Sequence, residues 1–250
     1  MGSIVAIVNQ KGGVGKTTSA VNLTAALHEK GASVLLVDFD PQANASSGMG
    51  ISRRARYTSY DVIINQVPAR QAIVTTAWGD VIPSSSALAG AAVELIGLEQ
   101  REYTLKQALA PLRDLYDYIF IDCPPSLELL TLNGLCACDQ ILIPVQCEYY
   151  ALEGLSDLMA TMRAVKKRLN PNLSIFGVLL TMFDGRTNFS AQVAQEVRKH
   201  FPGKVYAAAI PRNVRLAEAP SFGEPIITFD KHSKGAKAYL EVAQEILNQN

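Results

Sequence analysis

The residues best suited to chemistry lie near the start of the chain, in Asn9-Gln10-Lys11-Gly12-Gly13-Val14-Gly15-Lys16-Thr17-Thr18. An apolar run, Ile4-Val5-Ala6-Ile7-Val8, precedes them, and a segment with apolar residues at three- and four-residue spacing follows. Strand, glycine-rich loop and helix in that order form the setting in which a backbone wraps a phosphate group. The glycines let consecutive N–H groups turn inward, Lys16 adds a point charge, and the helix start contributes the positive end of its dipole. Thr17 offers a hydroxyl to Mg²⁺. The expected phosphate-binding set of the loop is Gly12, Gly13, Val14, Gly15, Lys16, Thr17 and Thr18.

Two further segments deliver carboxylates from the ends of apolar runs: Val37-Asp38-Phe39-Asp40-Pro41-Gln42 and Tyr118-Ile119-Phe120-Ile121-Asp122-Cys123-Pro124-Pro125. Ligands of open α/β sheets bind at the carboxyl ends of strands, which makes Asp38, Asp40 and Asp122 candidates for the same site. Turn chemistry alone is the competing reading for Asp38 and Asp40. No Asn-Lys-x-Asp guanine-reading segment occurs, so ATP is favoured over GTP.

These residues need a scaffold, and the apolar pattern supplies one. Strands are expected at Ile4 to Val8, Ser33 to Val37, Tyr118 to Ile121, Gln140 to Val145, Ile175 to Leu180 and Val205 to Ile210. Helices are expected at Thr17 to Lys30, Leu127 to Ala137, Leu152 to Leu169, Ala191 to Phe201 and Lys234 to Leu247. Strands apolar on both faces and joined by helices imply a mostly parallel, twisted sheet flanked by helices: a three-layer α/β sandwich of the P-loop NTPase type. With 250 residues, 48% of them hydrophobic, one domain over 1–250 is expected. Gly, Ser and Pro interrupt the pattern between Ile51 and Ala92, where loops are expected.

Net charge is zero, yet Arg163 to Lys237 carries 13 Lys and Arg against 5 Asp and Glu. That third could present a basic face. The N-terminal segment has neither a secretory-signal nor a myristoylation pattern, and no apolar run approaches the length of a membrane span, so a cytoplasmic protein is expected. Cys123, Cys136, Cys138 and Cys147 form no C-x-x-C pair and read as reduced, buried thiols.

Gln10 stands where the ordinary phosphate loop has glycine, and a second lysine, Lys11, follows it. The segment KGGVGKTT resembles the deviant Walker A motif of the ATPases that include ParA/Soj, MinD and the nitrogenase iron protein. The resemblance implies that Lys11 reaches across an ATP-dependent homodimer to the partner's phosphates, as an arginine finger does. It implies Walker A′ for Asp38-Phe39-Asp40, with Asp40 positioning the attacking water and Asp38 supporting the loop and metal region. It implies Walker B for the strand ending in Asp122, which would hold Mg²⁺ through water, and an adenine pocket at Pro211 and Asn213 with help from Met182. Pro211 and Asn213 could equally form an ordinary turn.

The segments Val145 to Gly154 and Ile210 to Ser221 resemble the chromosomal ParA/Soj branch, and the likeness covers nearly the whole chain. It implies a partition ATPase that coats nonspecific double-stranded DNA on the nucleoid and is released when a ParB/Spo0J-type protein stimulates hydrolysis. Arg186 and Arg215 would be its DNA-backbone contacts, giving salt-sensitive affinity without base reading. Ordinary surface or ion-pair roles are the alternative for both. No helix-turn-helix segment precedes the first strand, so no operator binding is expected. A MinD-like membrane switch needs a basic amphipathic helix at its C-terminal end, whereas Glu241 to Asn250 is acidic and polar, so no membrane partner is expected. An iron–sulfur reductase would need cysteines that bridge a cluster, and a scaffold that binds ATP but barely hydrolyses it would sit poorly with Lys11 and Asp40.

Overall fold

The apolar runs become strands β1 (Ser3–Ile7), β2 (Val34–Asp38), β3 (Val74–Thr76), β4 (Gly79–Ile82), β5 (Tyr118–Asp122), β6 (Gln140–Gln146) and β7 (Ser174–Thr181) in a computed structural model that describes residues 2–52, 55–148 and 151–249. Tyr149 and Tyr150, in the segment resembling the ParA/Soj branch, lie outside the described residues. The described strands form one sheet in the order β3-β4-β2-β5-β1-β6-β7, parallel throughout except for β3 against β4. From β1 the chain crosses over β5 to reach β2, and later crosses from β5 over β1 to reach β6. Crossovers thus leave the β5–β1 centre in both directions, the arrangement that opens a crevice at the carboxyl ends of the strands.

Helices α1 (Lys16–Glu29), α2 (Asn44–Gly48), α3 (Ser59–Ile63), α4 (Leu88–Glu94), α5 (Thr104–Leu109), α6 (Leu129–Ala137), α7 (Ala151–Arg168), α8 (Asn188–His200), α9 (Val214–Glu218), α10 (Ile226–Phe229) and α11 (Lys234–Leu247) cover the two faces. Alternation along each strand divides the core. Ile4 and Ala6 of β1 and Ile119 and Ile121 of β5 pack beneath α3 to α8. Val5, Ile7, Tyr118 and Phe120 pack on the opposite face with α1, α2 and α9 to α11. Helix α11 lays Ala236, Tyr239, Val242, Ala243 and Ile246 into that second core, against α1. Each large apolar side chain so buried contributes about 1.5–3 kcal/mol.

Two expectations are corrected. Val205 to Ile210 does not form a strand, although it runs beside β7 and bridges it at Val178–Val205. The N–H groups of Ala207 and Ala208 donate to the Glu245 carboxylate of α11, each at 2.8 Å, and are thereby withdrawn from the ladder. The stretch from Ile51 to Ala92, expected as loops, holds α3, β3, β4 and the start of α4. Thr58 and Asp61 cap α3 reciprocally, and β4 pairs parallel with β2 from Leu35–Asp80 to Val37–Ile82.

Candidate functional site

The loop after β1 turns through two glycines in the left-handed region, Gly13 at φ 76° and Gly15 at φ 89°, a backbone that a side chain would strain. Asn9 anchors its base: the side-chain amide donates to the Pro144 carbonyl of β6 at 2.7 Å and accepts from the Lys11 N–H at 3.1 Å. Thr181, at the end of β7, donates its hydroxyl to the Val14 carbonyl at 2.8 Å. Helix α1 then begins at Lys16 without a side-chain cap, so its first N–H groups and its dipole face the loop, as anion binding requires. The Lys16 ammonium folds back to the Lys11 carbonyl at 3.1 Å. Burial lowers its pKa, against the opposing pull of Asp122 and Asp40; phosphate in the loop would favour the charged form. Space around Gly12 and Gly13 is open.

Parallel pairing of β2 with β5 sets Asp38 directly beside Asp122. Both are fully buried, and their roles diverge. The Asp38 carboxylate accepts from the Asp40 N–H at 3.2 Å, the Ser46 N–H at 2.7 Å and the Ser46 hydroxyl at 2.6 Å, which fixes the loop leading into α2. Burial pushes it up to about 6. Neither oxygen of Asp122 has a hydrogen-bond partner of normal geometry, although the Thr17 hydroxyl is close enough to counter the rise in its pKa. Burial and the Asp38 charge hold that pKa well above the carboxylate range. A buried carboxylate in this position calls for a cation or its water shell. Thr17, Asp38 and Asp122 make an all-oxygen set, which suits Mg²⁺. Asp40 sits at the rim, nearly buried, with one oxygen accepting the Gln42 N–H at 2.9 Å.

A cleft of about 400 Å³ adjoins the loop, lined by Gly15, Thr18, Met182, Pro211, Asn213 and Tyr239 among others. Sequence positions 15, 18, 182 and 211–213 therefore converge on one volume of a size and apolar character suited to a nucleobase. Met182 holds φ 50°, a strained backbone for a side chain. Asn213 caps α9 by accepting the Arg215 N–H at 2.9 Å. Tyr239 joins α11 to α1 through the Ser19 hydroxyl at 3.2 Å.

The remaining candidates stand further out. Lys11 forms an ion pair with Glu148, beyond the end of β6, with both side chains about one-third exposed. Arg186, in the loop between β7 and α8, makes a bidentate pair with Asp184, and Arg215 pairs with Glu218 and Asp230. All four cysteines are buried. Sequence reasoning missed the supporting roles of Asn9, Ser46, Glu148, Thr181 and Tyr239. Apart from Ser46, which meets Asp38 eight residues away, each finds a partner only across the fold.

A parallel α/β sheet with a phosphate loop between its first strand and helix, and two carboxylates beside it, defines a P-loop nucleoside triphosphatase. A family model described as an AAA domain matches residues 2–175. The sporulation initiation inhibitor protein Soj of Bacillus subtilis is 55% identical over 249 residues, covering 98% of each chain. The chromosome partitioning protein ParA of Myxococcus xanthus is 51% identical over 253 residues, covering 100% of this chain and 89% of that one. Among solved structures, a cobyrinic acid a,c-diamide synthase from Mycobacterium smegmatis with bound ADP and magnesium superposes with a TM-score of 0.87 at 38% identity, over 100% of this chain and 95% of that one. The chain belongs to the ParA/Soj family of ATPases.

Proposed function

We propose that this chain, as a single P-loop domain over 1–250, is a DNA-partitioning ATPase that dimerises on ATP, binds double-stranded DNA without sequence preference and hydrolyses ATP when a ParB/Spo0J-type partner stimulates it. Its place of action is then the nucleoid, and its cargo a chromosome or plasmid. The observation that carries the reading is the division of labour between the two loop lysines. Lys16 is buried and turned into the phosphate cradle, whereas the Lys11 ammonium lies outside it, at Glu148. A cation so placed would exchange Glu148 for a second protomer's phosphates, so that each site is completed by dimerisation.

Within one protomer, the loop N–H groups and Lys16 bind the ATP phosphates, and Met182, Pro211 and Asn213 hold the base. Thr17 and Asp122 would hold Mg²⁺, with Asp38 bracing the loop behind them, and the ion would supply positive charge to the phosphates. Asp40 orients the attacking water. Arg186 and Arg215 meet DNA phosphates in the dimer. The membrane-switch alternative is disfavoured by α11, whose apolar face is occupied against α1. No helix among the described residues is long and apolar enough to cross a membrane.

The test is binding of arbitrary duplex DNA with ATP, ADP or no nucleotide at two salt concentrations, beside Arg186→Glu and Arg215→Glu. The reading requires ATP-dependent, salt-sensitive binding that both variants lose. ATP-dependent dimers that ignore DNA would refute it.

A further inference from the structure

Resting on the reading of Arg186 and Arg215 as DNA contacts, the geometry points to a second set of residues: Asp184, Glu218 and Asp230 are built-in counter-ions that hold these arginines off phosphate until DNA and an ATP dimer displace them together. Arg186 Nε and Nη2 take the two oxygens of Asp184 at 2.9 and 2.8 Å, so the edge of the guanidinium that would clamp a phosphate is already occupied by a carboxylate. Arg215 Nη1 reaches Glu218 at 2.8 Å and its Nε reaches Asp230 at 3.1 Å, while the guanidinium carbon lies 4.8 Å from the centre of the Phe229 ring. At Arg215 one guanidinium faces two carboxylates. As they stand, a guanidinium edge of each arginine is engaged by carboxylate rather than open to a phosphate backbone.

Both clasps are joined to the nucleotide cleft. Arg186 follows Met182 by four residues, and the intervening Phe183 exchanges backbone hydrogen bonds with Ile210 and Arg212. Arg215 sits on the helix that Asn213 caps, with Leu216 and Ala217 beside it lining the cleft. The two chain segments that wall the base cleft therefore carry the two clasps. Hydrogen bonding to Arg186 also holds the Asp184 carboxyl down to about 2, so this counter-ion stays charged under all ordinary conditions.

Each phosphate contact is then an exchange of carboxylate for phosphate. A single exposed exchange yields little net affinity. A dimer, which presents every arginine twice along one duplex, multiplies the gain. The carboxylates thus weaken DNA binding by either form, and only the avidity of a dimer lifts it above what a single protomer achieves.

Fluorescence anisotropy with a labelled duplex of arbitrary sequence tests this on the full chain, comparing wild type with Asp184→Asn, Glu218→Gln and Asp230→Asn in ADP and in ATP. All three side chains are partly exposed, on loops or a short helix, and a melting curve for each variant establishes that it is folded. DNA binding with ADP is expected to tighten by about two- to fivefold for each carboxylate neutralised, the span of an exposed ion pair, and binding with ATP by about the square of that factor. Unchanged or weaker binding with ADP would overturn the inference, since the carboxylates would then be bystanders or would be holding the arginines in their binding pose. A wild type that ignores DNA even with ATP would instead overturn the DNA-binding reading itself.

Discussion

Asp38 and Asp122 are register partners on β2 and β5, fully buried, with carboxyl pKa values raised chiefly by that burial. A carboxyl whose folded pKa exceeds its unfolded value binds protons in the native state that the unfolded chain has released. Stability of the nucleotide-free protein therefore falls as pH rises from the unfolded value near 3.8 through about 6 for Asp38, and further still for Asp122. Mg²⁺ bound at the proposed set would favour the ionised pair. The rise in Tm on adding Mg·ATP should accordingly be larger at neutral pH than near the unfolded carboxyl range. A rise that is flat or shrinks with pH would show that the pair does not face the metal.

Asn9 ties the phosphate loop to β6 through two hydrogen bonds. Asn9→Ala leaves the Pro144 carbonyl and the Lys11 N–H without this partner, at a cost of about 1–3 kcal/mol. Urea unfolding should register that loss, and titration with ATP should show weaker binding because the cradle is no longer held at its base. Wild-type ATP affinity in a destabilised variant would separate the anchor from the site.

Glu148 pairs with the Lys11 ammonium, so in the proposed dimer it would compete with the second protomer for that cation. Glu148→Gln weakens the ion pair while keeping the shape. Dimers should then form at ATP concentrations lower by about two- to fivefold, given the partial exposure of both side chains. Light scattering during an ATP titration reads this directly, and a variant that needs more ATP to dimerise would contradict it.

What could be read from the sequence was local. Gly13, Gly15, Lys16 and Thr17 follow one another along the chain, and the apolar runs ending in Asp38 and Asp122 announce both strand and carboxylate. The principal helices begin and end within a few residues of expectation because three- and four-residue spacing is a property of each segment alone. Val205 to Ile210 misled because β propensity cannot foresee a carboxylate 37 or 38 residues away taking two of its N–H groups. Strands β3 and β4 were hidden by their three- and four-residue lengths and by Gly79 at the start of β4. The partners of Lys11 and Arg215 were hidden for the same reason as Glu245: Glu148 and Asp230 reach them only across the fold.

The most direct test of a shared, ATP-dependent site is to mix Lys11→Ala with Asp40→Ala and measure ATP turnover in the presence of DNA and a ParB-type partner. Each variant alone should be inactive, since every site lacks one group. If Lys11 serves the partner's phosphates, a mixed dimer assembles one complete site from the Asp40 of one protomer and the Lys11 of the other. Random assortment then restores about a quarter of the wild-type rate. If Lys11 served only its own protomer, both sites of every mixed dimer would remain defective, and a mixture as inactive as its components would contradict the shared site.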